Sequence, residues 1–285
     1  MSATIAQAWP FSTRARTRAL PGLSITLGFT LTYLSLVVLV PLAALLLRAA
    51  GLGFAGWWEV LTSSRVLHAL ELSFGGALVA AAINAVFGTL IAWTFVRYDF
   101  PGRRLLQAMV DLPFALPTAV AGIALTALYA PNGWLGAPLA ELGIKVAYTP
   151  IGVILAMTFI SLPFVVRTIE PVLGEAERQY EEAAATLGAT RWQTIARIIF
   201  PALVPALLTG SALAFARAVG EYGSIIFIAG NLPGVSEIAP LLIMIRLEEF
   251  DYTGATAIAA AMLLISFAML FAINLLQAWS RRRGG

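Results

Sequence analysis

Glu182-Ala183-Ala184-Ala185-Thr186-Leu187-Gly188, followed ten residues on by Ile198-Ile199-Phe200-Pro201, is the stretch that decides how the chain is read. It lies in a long polar interval between two apolar segments. Tyr180, Ala183, Ala184 and Leu187 recur at i, i+3, i+4 and i+7, which places them on one face of a helix. Glu181 and Glu182 stand in its early turns, where the positive end of the helix dipole favours a carboxylate. Gly188 comes where a left-handed cap closes a helix. Thr190-Arg191-Trp192-Gln193 has the form of a capping box, and Trp192, Ile195, Ala196 and Ile199 repeat the same spacing beyond it. The expected object is a short amphipathic helix, a sharp corner, and a second helix entering a membrane at Pro201. Two alanines keep the first face shallow, so another protein's backbone can approach it. Periodicity alone is shared with any helical hairpin lying on a bilayer, so the rest of the chain must decide.

Composition does much of that. Hydrophobic residues make up 60% of the chain and charged residues 12%, with a mean hydropathy of +0.87. A soluble domain of this balance would leave too much apolar surface in water. The expected class is therefore an all-α, polytopic membrane protein. With no cysteine, disulfides and thiolate metal sites are excluded. A formal charge of +3 is compatible with nucleic acid, but in a membrane chain excess arginine marks cytoplasmic loops; no nucleic-acid partner is expected.

Residues 1–22 read as a cytoplasmic tail carrying Arg14, Arg16 and Arg18. The apolar run 23–47 is too long for a signal-peptide core and long enough to cross a bilayer. With an outer segment bearing Trp57 and Trp58 it makes up residues 23–68, and Pro41 is a candidate kink. Residues 69–277 hold five further spans, at 70–96, 105–130, 151–166, 201–220 and 253–278. Between them lie the coupling loop 167–200 and an outer loop 221–252. Residues 278–285 form a second cytoplasmic tail with Arg281, Arg282 and Arg283. So arranged, thirteen of the 18 lysines and arginines lie inside and four outside, with Arg217 within a span. That bias puts both termini, and the lever at 180–192, on the cytoplasmic side.

The chain carries no energy source of its own. A phosphate-binding loop ends in Gly-Lys-Ser/Thr, and the only lysine stands in Ile144-Lys145-Val146. His68, the only histidine, has no companion for base or metal chemistry. No catalytic or metal-binding residue is expected.

Three features stand inside the spans. Asp111-Leu112-Pro113-Phe114-Ala115-Leu116-Pro117 places two prolines four apart, freeing the carbonyls of Met109 and Pro113; this marks either a pathway-lining gate or a structural kink. Arg217 and Glu221 at i, i+4 are either a cavity-facing pair that meets an anion or a salt bridge that holds the bundle. Asn84 is either an interhelical hydrogen bond or a cavity group.

Glu182, Ala183, Ala184, Gly188, Ile198 and Pro201 match the cytoplasmic signature of the membrane subunits of bacterial binding-protein-dependent ABC importers, with Phe200 in place of the usual leucine. Asp111 to Gly122, Pro163 to Thr168, Gly220 to Asn231 and Arg246 to Tyr252 look like the sulfate/thiosulfate permeases of that group; molybdate permeases share part of the pattern. The resemblance implies a six-span type I ABC importer permease fold with a cytoplasmic coupling helix. It also implies a homologous CysW-like permease subunit, two copies of a CysA-like ATPase that hold ATP and Mg, and a periplasmic sulfate- or thiosulfate-binding protein. No cofactor is expected on this chain itself. An ion-coupled carrier would instead show several free acids within its spans, and a membrane-bound enzyme would need a reactive constellation that is missing.

Overall fold

The computed structural model describes residues 22–175 and 178–283, and every regular element among them is helical. Arg14, Arg16 and Arg18, and the side chains of Arg281 to Arg283, lie outside the described residues. The chain divides into two compact units at residues 47 and 48. In the first, α1 (Leu23–Leu34) widens into a π turn (Ser35–Leu39) before α2 (Val40–Ala50), which runs past the boundary. The Val40 amide donates to the Ser35 carbonyl, five residues back. The wide turn absorbs Pro41, whose ring would otherwise meet the carbonyl four residues before it.

The second unit holds α3 (Gly53–Thr62), α4 (Ser64–Arg97), α5 (Arg103–Ala115), α6 (Thr118–Tyr129), α7 (Gly136–Glu141), α8 (Pro150–Glu175), α9 (Arg178–Thr186) and α10 (Arg191–Thr194). A second π turn (Ile195–Ile199), again just ahead of a proline, joins α10 to α11 (Phe200–Val219). Then follow α12 (Ile225–Ile228), α13 (Ala239–Glu248) and α14 (Tyr252–Arg283). Among the described residues, five helices are long and apolar enough to cross a membrane, or six if α5 and α6 count as one broken span.

The core lies where α4, α8 and α11 pack together. Val165 is fully buried there: a β-carbon on Gly88 would lie 2.9 Å from its Cγ1, and one on Gly210 3.1 Å from its Cα. Small residues let helices approach this closely in a bundle that water does not drive together.

The structure corrects two of the expected spans and shows helices within two of the expected outer segments. The stretch 105–130 is not one helix, because α5 and α6 are bent by 115°. Leu116 is extended (φ −84°, ψ 137°), as a residue before proline tends to be, whereas Pro113 is accommodated inside α5. The fourth span does not stop at Val166 but continues to Glu175, since the charge of Arg167 is met by Asp111 and Glu170 and so need not end the helix. The outer segment at 48–68 is helical over α3. The outer loop 221–252 contains α13, where Leu241 and Leu242 are buried and the Ala239 N–H donates to Ser73 Oγ at 2.8 Å.

Candidate coupling and pathway sites

The lever is built by local hydrogen bonding. The Ala189 N–H donates to the Ala184 carbonyl and the Gly188 N–H to the Ala185 carbonyl, each at 3.0 Å. This is a Schellman cap, with Gly188 at φ +78°. Across the corner the Gln193 N–H reaches Thr190 Oγ1 at 3.4 Å and the Thr190 N–H reaches Gln193 Oε1 at 2.8 Å, so the capping box forms at the expected residues.

The face expected of Tyr180, Ala183, Ala184 and Leu187 is divided. Ala184 is buried, whereas Ala183 is exposed and Leu187 is 88% exposed; the side chain of Tyr180 lies outside the described residues. The inward edge is set by Glu181, which pairs with Arg97 at the end of α4. The Arg97 guanidinium also lies 5.3 Å from the Trp93 ring centroid. Beyond the corner, Thr194 and Ile199 are buried, while Trp192 and Ala196 are exposed. Leu187 and Trp192 thus present an apolar corner to the outside, with the exposed Glu182 nearby in sequence. Behind the lever is a cavity of about 420 Å³ lined by residues that include Trp93, Tyr98, Glu182 and Arg191.

Within the spans the charged candidates are all paired. Arg217 Nη1 meets Glu221 Oε2 at 2.6 Å; the Glu221 side chain is 2% exposed and that of Arg217 32%. The other Glu221 oxygen accepts the Ser224 N–H at 2.8 Å and its hydroxyl at 2.9 Å. The loop carrying Glu221 lies directly on α6. A β-carbon on Gly122 would sit 2.3 Å from the Ser224 carbonyl oxygen, and one on Gly223 2.2 Å from Thr118 Oγ1. Asn84 is fully buried between α4 and α8, its Nδ2 donating to the Thr158 carbonyl at 3.0 Å and to Ser161 Oγ at 2.9 Å. Pro113 and Pro117 flank the turn of α5 that leads into the break, and Asp111 pairs with Arg167.

Three long-range ion pairs were missed in sequence. Arg65 forks onto Glu237 at 2.8 and 2.7 Å across 172 residues, Arg97 joins Glu181 across 84, and Arg167 joins Asp111 across 56. The one signal that could have found them is general: an arginine in or beside an apolar helix needs a counter-ion. Asp111, Glu170, Glu221 and Glu237 each meet an arginine.

A helical bundle with a broken span and a protruding two-helix lever is the type I permease fold of ABC importers. The chain superposes with a TM-score of 0.71, at 18% identity, on a bacterial ABC transporter involved in the import of the acidic polysaccharide alginate, covering 91% of this chain and 95% of that one. A bacterial alginate ABC transporter in complex with an alginate pentasaccharide-bound periplasmic protein gives 0.71 at 19% identity, covering 92% and 94%. The chain belongs to the binding-protein-dependent transport system inner membrane components, whose family model matches residues 84–283. Among its relatives it is 50% identical over 266 residues to the sulfate transport system permease protein CysT of Escherichia coli (strain K12), covering 93% of this chain and 96% of the relative. It is 51% identical over 260 residues to the protein of that name from Synechocystis sp. (strain ATCC 27184 / PCC 6803 / Kazusa), covering 91% of each.

Proposed function

We propose that the chain is a membrane-spanning subunit of an ATP-driven importer that carries sulfate or thiosulfate inward by alternating access. The observation that carries this reading is the lever: a capped helical corner, held to α4 through Glu181 and Arg97, that exposes Leu187 and Trp192. An apolar corner on a rigid support is a handle for another protein. On this reading, a CysA-like ATPase receives the corner in a groove, and its closure on ATP and Mg displaces the lever. Two such ATPases work a pair of permeases, this chain and a CysW-like partner, fed by a periplasmic sulfate- or thiosulfate-binding protein. Both termini face the cytoplasm. Coupling requires that the lever's contacts differ between the two transport states.

The roles of the other candidates follow. Ala183, Leu187, Gly188 and Trp192 shape the docking corner, and Glu182 adds charge to it. On this reading the break at Pro117 and the Arg217–Glu221 pair serve the pathway, while Asn84 holds α4 to α8. The substrate class is supported by the CysT relatives, each half identical over nine-tenths of the chain. A carrier driven by protons or sodium is disfavoured, because the span carboxylates are held by arginines rather than left free for a relay. The deciding experiment reconstitutes the complex and follows labelled sulfate, thiosulfate and molybdate. Uptake of sulfate or thiosulfate that needs ATP and the binding protein is expected. Uptake without ATP, or of molybdate alone, would overturn the assignment.

A further inference from the structure

We propose that Arg167 is a two-partner latch, tying the lever-side half of the broken span to α8 in one transport state and releasing it in the other. The inference rests on the importer reading and adds to it the residues through which the lever's movement reaches the broken span. Arg167 Nε donates to Asp111 Oδ1 at 2.8 Å, its Nη2 engages the other Asp111 oxygen, and its Nη1 donates to Glu170 Oε2 at 2.6 Å. The two carboxylates differ in kind. Asp111 belongs to α5, so its contact lasts only while α5 and α8 lie together. Glu170 sits one turn along α8 and travels with the arginine.

The second carboxylate needs a reason, since Arg65–Glu237 and Arg217–Glu221 each manage with one acid. A fixed bridge requires one counter-ion. A bridge that opens requires two, because an arginine at membrane depth that loses its only partner is left as an uncompensated charge. Exposure separates the two roles: the Asp111 side chain is 41% exposed and that of Glu170 14%. The releasable partner is the more exposed of the two, and the resident one is shielded.

The position fits a transmission element. Arg167 stands eight residues before the end of α8, the helix that precedes the lever, about 12 Å along its axis. Asp111 stands on α5, which ends at the break. Phe114 and Phe164 meet edge to face at 5.2 Å in the same α5–α8 contact, one turn further from the lever, and an apolar contact can slide where a forked ion pair cannot. Movement of α8 is therefore passed to α5 while the latch is closed and withheld when it is open.

The test uses the full complex, with its ATPase and binding protein, in proteoliposomes, reading uptake and ATP hydrolysis together. Asp111→Asn removes the releasable partner, so hydrolysis without binding protein is expected to rise about fivefold, the effect of a modest coupling energy, while uptake per ATP falls. Asp111→Glu restores most of the coupling. Glu170→Gln acts in the opposite sense: opening now strips Arg167 of its last partner, so uptake slows and unstimulated hydrolysis stays at or below that of the unaltered complex. Shifts of the same sign in both variants, or none in either, are what a static bridge gives and overturn the latch. Should Asp111→Asn fail to assemble, Glu170→Gln decides alone, and raised unstimulated hydrolysis or unchanged uptake overturns it. An unaltered complex without ATP-driven uptake would overturn the importer reading instead, so the two failures are separable.

Discussion

Gly188 shows how much one backbone angle can carry. Its φ is +78°, and a β-carbon built there meets nothing within 4 Å, so conformation rather than space selects glycine. Substitutions should follow the left-handed penalty and not side-chain volume: Asn mildest, Ala costing about 1 kcal/mol, and β-branched Val worst. Uptake per inserted protein is expected to fall in that order, and an order of Ala milder than Asn would show that a partner's surface sets the limit. Gly188→Asp, which adds a charge beside Leu187, should uncouple hydrolysis from uptake while the protein still inserts. Arg217 and Glu221 allow a second test at this scale. Arg217→Ala leaves a buried carboxylate with only Ser224 as donor, and breaking such a pair costs about 3–5 kcal/mol when both groups are buried, less here because Arg217 is a third exposed. Less assembled protein and a lower Tm are expected, and adding Glu221→Gln should restore both. A double variant that assembles but does not transport assigns Arg217 to the anion; one that transports normally assigns the pair to holding the bundle.

At the scale of elements, what could be read from the sequence was whatever is written within a few residues. The capping box at Thr190 and Gln193, the cap at Gly188 and the proline signal at 113–117 are local, and each left its mark where expected. Which proline breaks the helix was not local. Pro113 lies between Asp111 and Phe114, both of which grip α8, so tertiary contact holds α5 together until Leu116. The true length of α8 was hidden for a related reason: hydropathy stops at Arg167, whereas the helix continues because its counter-ion comes from another helix. The inward turn of Ala184 likewise depends on Glu181 finding Arg97, 84 residues away. The contact of α6 with the loop after α11 gives a prediction of the same kind. A Gly122→Ala methyl would meet the backbone of Ser224, which cannot rotate aside, so overpacking of about 1–3 kcal/mol is expected. Thermal unfolding of the purified complex should show it, with Gly75→Ala, where a β-carbon meets nothing within 4 Å, as the unaffected control.

At the scale of the whole molecule, sequence and structure bear on orientation from different sides. The arginine count assigns the lever end to the cytoplasm, and the structure gathers basic residues there, with Arg97 clamped to Glu181 and Arg103 to Asp99 at 2.8 Å. The turn between α13 and α14 has another character: Arg246 is spent on Asp251 at 2.9 Å, and Phe250 is 77% exposed. A helix as long as α14, 32 residues at about 1.5 Å each, separates that turn from the lever-side end by more than a bilayer's apolar thickness. The chain has no cysteine, so single cysteines report without interference. Leu187→Cys and Trp192→Cys should react with a membrane-impermeant maleimide only after the membrane is opened, and Phe250→Cys should react in sealed, right-side-out vesicles. The reverse pattern would place the corner where no ATPase can reach it, and the lever could then not be what drives the bundle.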